Sequence, residues 1–183
     1  MFDQLLDLVK KHAGDAIVKN PAIPNERNDE AIEDASSSIS NGLQGMLSQG
    51  GLKDVLKMFG GQGNDTNAIS NGISGGFIQN LMDKFGMKEE EAGNVANQVV
   101  PGVLNDMVKK TNDPNDNSFD IQGIFNNLSS GQTSGLNLQS LLNKVKSGKL
   151  DLDGDGDTDL QDLMHVLKGN TGGLMDKVKG LFN

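Results

Sequence analysis

Between Ala92 and Val108 the apolar residues recur three and four apart: Ala92, Val95, Ala96, Val99, Val100, Val103, Leu104, Met107 and Val108. That spacing places them on one face of an α-helix for about four and a half turns, whereas a strand would need alternation. Glu89, Glu90 and Glu91 follow Lys88, where the positive end of a helix dipole favours carboxylates. The pattern predicts a core helix starting at Lys88. Pro101 removes a backbone donor in its middle and, followed by Gly102, predicts a kink.

The same period governs the rest of the chain. Phe2, Leu5, Leu6, Val9, Ala13, Ala16 and Ile17 form the stripe of a first amphipathic helix, which Pro21 and Pro24 end. A second helix is predicted from about Asp29 to Leu47, with Ile32, Ala35, Ile39, Leu43, Met46 and Leu47 on one face and Gly50-Gly51 as its stop. Ile-Ser-Asn-Gly occurs at Ile39 and again at Ile69, each copy running on to a Phe-Gly ending at Phe59-Gly60 and Phe85-Gly86. This reads as a degenerate helical repeat in two imperfect copies, the second shorter. Thr111 to Ser118 is a run of turn formers and marks an exposed linker. Short helical patterns follow at Ile121–Leu128, Leu138–Val145, Leu160–Lys168 and Leu174–Phe182. No segment alternates, so the predicted class is all-α: a helical domain over 1–112, then a linker and a smaller helical region over 113–183.

Composition narrows the function. The chain has 183 residues, enough for one medium domain or a small one with added elements. Only 35% of it is hydrophobic, with 24 glycines, seven phenylalanines and neither Trp nor Tyr, so the core is aliphatic and light. Cysteine is absent, which excludes disulfides, thiolate metal sites and cysteine nucleophiles. Arg27 is the single arginine and the net charge is −9, so the basic stripe that nucleic-acid binding requires is missing. Asp3 and Asp7 break the apolar pattern of the N-terminus, and no stretch reaches the length of a membrane span. The expectation is a soluble, cytoplasmic protein.

The acidity concentrates in Asp151-Leu-Asp-Gly-Asp-Gly-Asp-Thr-Asp-Leu-Gln-Asp162. Aspartates fill positions 1, 3, 5, 7, 9 and 12 of a twelve-residue loop with Gly156 at 6, which is the ligand spacing of a calcium-binding EF-hand loop. In this register Asp151, Asp153 and Asp155 offer side-chain oxygens and Asp157 its backbone carbonyl. Asp159 contributes directly or through water, and Asp162 closes the site. A register two residues later puts Thr158 at the sharp bend, where glycine is wanted. The bland alternative is a solvated acidic turn.

Three features depart from the paired EF-hand. Position 12 is Asp162, one methylene shorter than glutamate; Thr158 stands at position 8, where an apolar residue joins two loops; and Ser147-Gly148-Lys149-Leu150 interrupts the helical pattern before the loop. The prediction is an unpaired half-hand, with affinity on the order of 10⁻⁴ M and magnesium as the alternative ion. Asp151 to Gly169, with aspartate at position 12, Leu163 directly after it and a single exiting helix, resembles a dockerin-type calcium repeat. Dockerins carry two such repeats and bind a cohesin. This chain has one, so the resemblance implies calcium binding at the matching aspartates and no cohesin partner.

A second resemblance covers Gly50 to about Asn126. It rests on Gly51-Leu52-Lys53-Asp54-Val55 with Phe59-Gly60-Gly61, the Asn67 to Phe85-Gly86-Met87 segment, and Glu91-Ala92 with Val99-Val100-Pro101. These residues resemble the YidB-like family of small, uncharacterised bacterial proteins, which implies an all-helical fold and no established activity.

Other constellations carry less. His12 and His165 are the only histidines, scattered and expected at surface or boundary positions. Gly60-Gly-Gln-Gly63 lacks a preceding strand and a following Gly-Lys-Ser/Thr, so it is no phosphate loop. The functional expectation is a non-enzymatic calcium-binding protein in which the ion organises the C-terminal region. The first alternative is a calcium sensor that exposes an apolar, methionine-containing surface to a protein partner. A metal-assisted hydrolase stands behind both.

Overall fold

The computed structural model describes residues 2–49, 51–61, 65–116, 118–129 and 137–147. Among them are seven α-helices and no strand: α1 Phe2–Ala13, α2 Asn28–Ser48, α3 Leu52–Phe59, α4 Asp65–Phe85, α5 Glu89–Asn112, α6 Ile121–Leu128 and α7 Leu138–Lys146. The all-α class read from the apolar period is what the chain adopts. The patterns predicted at 160–168 and 174–182 lie outside the described residues.

Contacts gather the chain into two compact units, each discontinuous in sequence. The first takes the chain up to Leu43 together with Thr66–Phe119; the second takes Gln44–Asp65 and the described residues from Asp120 onward.

In the first unit α5 supplies the core stripe as its spacing predicts. Ala92, Val95, Ala96, Val99, Val100, Val103, Leu104 and Met107 are all buried, and the helix continues through Pro101. At its start the Lys88 backbone N–H donates to the Glu91 carboxylate at 3.2 Å, so one of the acidic residues favoured by the helix dipole also acts as a cap. α1 packs against α5, burying Leu5, Leu8, Val9 and Ala13.

The first helix does not continue unbroken to Ile17. A single π-helical turn, Gly14–Val18, replaces its last turn and keeps Ala16 and Ile17 buried against α5. Asn20 closes this end before Pro21: its Nδ2 donates to the Ala16 carbonyl and its Oδ1 accepts from the Ala22 N–H, both at 3.0 Å.

Helices α2 and α4 approach closely at Gly42. A Cβ built there would lie 2.5 Å from Ile73 Cγ1, so the pair needs a residue without a side chain. α4 ends at Gly86, whose φ of +66° suits glycine, with its N–H on the Met82 carbonyl at 3.0 Å.

Among the described residues the second unit holds the end of α2 and three short helices. α3 buries Leu52, Val55, Leu56, Met58 and Phe59. α6 buries Ile121, Ile124, Phe125 and Leu128, and α7 buries Leu138, Leu141 and Leu142. The Phe59 and Phe125 rings meet edge to face with centroids 6.1 Å apart, an arrangement their quadrupoles favour. The Leu138 N–H at the start of α7 donates to the Gln122 side-chain oxygen of α6 at 3.3 Å.

Candidate functional site

The six aspartates of the predicted calcium loop, Asp151, Asp153, Asp155, Asp157, Asp159 and Asp162, lie outside the described residues, as does His165. Among the described residues no group of three or more His, Asp or Glu side chains is placed to hold a metal ion. The described ion pairs of the first unit include clusters at three places, two joining helices and one tying the turn after α5 back to that helix.

The first lies between α1 and α5. The Lys11 ammonium donates to Asp106 Oδ2 at 2.6 Å, and His12 Nε2 stands 3.1 Å from the same oxygen. Lys109 adds a more distant ammonium at 3.8 Å. The Lys11 hydrogen bond, reinforced by His12, holds the Asp106 carboxyl below the usual carboxylate range. The His12 ring is admitted because Gly102 leaves room: a Cβ there would lie 2.6 Å from His12 Nδ1. The expected boundary position of His12 is met, with its side chain one-quarter exposed. Its partner lies 94 residues away, a pairing no local pattern reveals.

The second joins the start of α2 to the end of α4. Arg27 grips Glu30 with two parallel hydrogen bonds, Nε to Oε2 at 2.8 Å and Nη2 to Oε1 at 3.0 Å. Its remaining Nη1 donates to the Lys84 carbonyl at 2.9 Å, satisfying one of the acceptors left over at a helix C-terminus. The guanidinium also stacks on Phe85, 4.3 Å from the ring centroid. Lys84 Nζ in turn donates to Asp34 Oδ1 at 2.6 Å. Asp34 Oδ2 is buried with no hydrogen-bond partner among the described groups. The chain's single arginine therefore meets a carboxylate fork, a carbonyl and an aromatic face at once, which lysine cannot do. Glu30 is held below its ordinary carboxyl range by Arg27.

The third follows α5. Lys110 Nζ donates to Asp116 Oδ2 at 2.6 Å, the Ser118 hydroxyl and N–H both donate to Oδ1, and together they lower the Asp116 carboxyl to about 2. What the sequence marks as an exposed linker is thus partly tied back to α5. The Asn115 N–H on Asp113 Oδ1 at 2.9 Å adds a local turn.

An open depression of about 410 Å³ lies along the Val18–Asn25 connection. Its only ionisable lining residue is Lys19, whose ammonium is paired with Asp15 at 2.7 Å. Nothing about that lining assembles a nucleophile, a base and an oxyanion donor around one point. No described helix is long and apolar enough to cross a membrane.

Comparison with protein families, with curated proteins and with solved structures gives no match to this chain.

Proposed function

We propose that this chain is a calcium-binding helical protein with a structural, non-enzymatic role, in which Asp151, Asp153, Asp155, Asp157, Asp159 and Asp162 hold the ion and thereby organise the C-terminal region. The observation that carries this reading is the register of the loop: six oxygen donors at the positions a seven-coordinate hard cation uses, with Gly156 at the bend. Six carboxylates so close repel one another, and a divalent cation relieves that repulsion most completely. Among the described residues no group of His, Asp or Glu side chains offers a competing metal site. Kinship with the YidB-like family over Gly50 to about Asn126 belongs to the same proposal.

The alternative reading is a calcium sensor that exposes an apolar, methionine-containing surface to a protein partner. Of the described methionines, Met58, Met87 and Met107 are core residues, exposed by 1%, 5% and 1%, while Met46 and Met82 are half-buried; Met164 and Met175, nearest the loop, lie outside the described residues.

The test is thermal unfolding followed by far-ultraviolet circular dichroism in chelator, in millimolar magnesium and across a calcium titration. Calcium should raise Tm, with stabilisation of about 2.7 kcal/mol when the ion reaches a hundred times its Kd. Asp151→Ala and Asp162→Ala should each abolish the response. A response to magnesium alone would assign the loop to that ion, and the same Tm in all three conditions would reduce it to a solvated acidic turn.

A further inference from the structure

We propose that the Asp113–Pro114 bond is a self-cleavage site, at which the Asp113 carboxylate displaces the Pro114 nitrogen and divides the chain directly after α5. This is independent of the calcium reading.

Prolines stand at Pro21, Pro24, Pro101 and Pro114, and only Pro114 follows an acidic residue. An aspartate carboxylate reaches its own main-chain carbonyl carbon through a five-membered ring, so the nucleophile is part of the same residue and no second molecule has to be positioned. The leaving nitrogen of an X–Pro bond belongs to a tertiary amide, which is more basic than an ordinary peptide nitrogen and departs readily once protonated. Asn20-Pro21 offers no such chemistry, because the Asn20 side chain is a neutral amide with both ends engaged, on the Ala16 carbonyl and the Ala22 N–H.

The turn after α5 arranges the reacting groups. Asp113 is extended, with φ −86° and ψ 115°, as a residue before proline prefers. Pro114 takes the second position of a tight turn, which its fixed φ suits. The Asp116 N–H then donates to the Asp113 carbonyl oxygen at 3.1 Å. That oxygen gains negative charge when its carbon is attacked, so a backbone donor already aimed at it stabilises the tetrahedral intermediate. The Asn115 N–H holds Asp113 Oδ1 at 2.9 Å, which fixes the side chain within the turn and leaves Oδ2 to attack. Asp113, Pro114 and Asn115 are exposed, so water and protons reach the bond. The 2.6 Å pairing of Lys110 with Asp116 ties the turn to α5. Lys110 and Ser118 lower the Asp116 carboxyl to about 2, so this anchor persists in the mild acid that speeds the reaction.

The reaction consumes only water. Oδ2 bonds to the Asp113 carbonyl carbon, the carbon–nitrogen bond to Pro114 breaks, and the nitrogen leaves with a proton from solvent. Water opens the cyclic anhydride left on Asp113 and restores both carboxyl groups. The products are residues 1–113, ending in aspartate, and 114–183, beginning with a free proline amine. Helices α1 to α5 remain in the first and α6 and α7 fall in the second. The packing of α3 on α7 then links the two pieces without a covalent bond.

Intact mass spectrometry of the purified full chain, incubated at about pH 5 and about pH 7 with parallel samples in concentrated urea, tests this. Two fragments whose masses sum to the chain plus one water should accumulate, faster at the lower pH. At that pH they should form about tenfold faster in the folded chain than in urea, the gain expected from one well-placed hydrogen bond to the oxyanion. Asp113→Asn, which removes the nucleophile, and Pro114→Ala, which removes the labile nitrogen, should each leave the chain intact with an unchanged circular dichroism spectrum. An equal or lower rate in the folded chain would overturn the proposal, because the turn would then contribute nothing. A lack of fragments, or an unchanged rate in either variant, would overturn it as well.

Discussion

Gly42 and Gly72 hold the same place in the two Ile-Ser-Asn-Gly copies, yet their surroundings are opposite. A side chain at Gly42 would run into the β-branched Ile73, which has little rotamer freedom with which to yield, while a Cβ at Gly72 meets nothing within 4 Å. Gly42→Ala should therefore destabilise by about 1–3 kcal/mol through overpacking. Gly72→Ala should stabilise by up to about 1 kcal/mol, because alanine is the better helix former and nothing obstructs it. Urea unfolding of the two variants decides this, and a shared sign would refute the placement of α2 against α4. The repeat was legible as a string of letters, but the surroundings of its two glycines were not, because they depend on which helix lies alongside. The same holds for Gly102, which in sequence only accompanies a proline and in the fold makes room for His12.

At the level of elements, strong periodicity was sufficient for α1, α2, α5, α6 and α7. Their predicted limits match the observed ones to within a few residues, apart from the π turn that ends the first helical segment. The two repeat copies differ more than their letters suggest: the first is divided between α2 and α3, whereas the second is the continuous helix α4. α4 is hard to read because its exposed side carries Gly72, Gly75 and Gly76, and between Thr66 and Met82 there is no charge to contrast with the buried Ile69, Ile73, Phe77 and Leu81. In the second unit the short helices need caps. Asp120 supplies one to α6, its Oδ1 accepting from the Gly123 N–H at 2.8 Å. Asp120→Ala should cost about 1 kcal/mol, and Asp120→Asn should retain most of the stability, since asparagine caps equally well. Chemical denaturation of both variants measures the difference.

At molecular scale, the carboxylates among the described residues that are depressed by their partners all belong to the first unit. Asp15 is lowered by Lys19, Glu30 by Arg27, Asp106 by Lys11, and Asp116 by Lys110 to about 2. A group whose carboxyl is more acidic in the folded chain than in the unfolded one binds fewer protons when folded. Its stabilising contribution is complete above the ordinary carboxyl value of about 4 and disappears as pH falls through the lowered value. The first unit should accordingly keep a constant stability from these groups between about pH 5 and pH 7, then lose it progressively between about pH 4 and pH 2. Urea midpoints across that range measure it, and Asp116→Asn should remove the most acidic part of the decline. An unchanged acid limb in that variant would show that the Lys110 pairing contributes nothing to folding.

The sequence by itself determined the helical class, most of the helix limits and the buried stripes, because hydrophobic period, proline and glycine act within one or two turns of chain. It also carries the whole of the proposed calcium register at Asp151–Asp162, since twelve consecutive residues hold every proposed ligand. Only the tertiary structure decided that His12 meets Asp106, that Arg27 reaches the Lys84 carbonyl and the Phe85 ring, and that α3 groups with α6 and α7, distant in sequence. Those outcomes depend on which apolar faces find one another, and on the few places where a glycine lets them close.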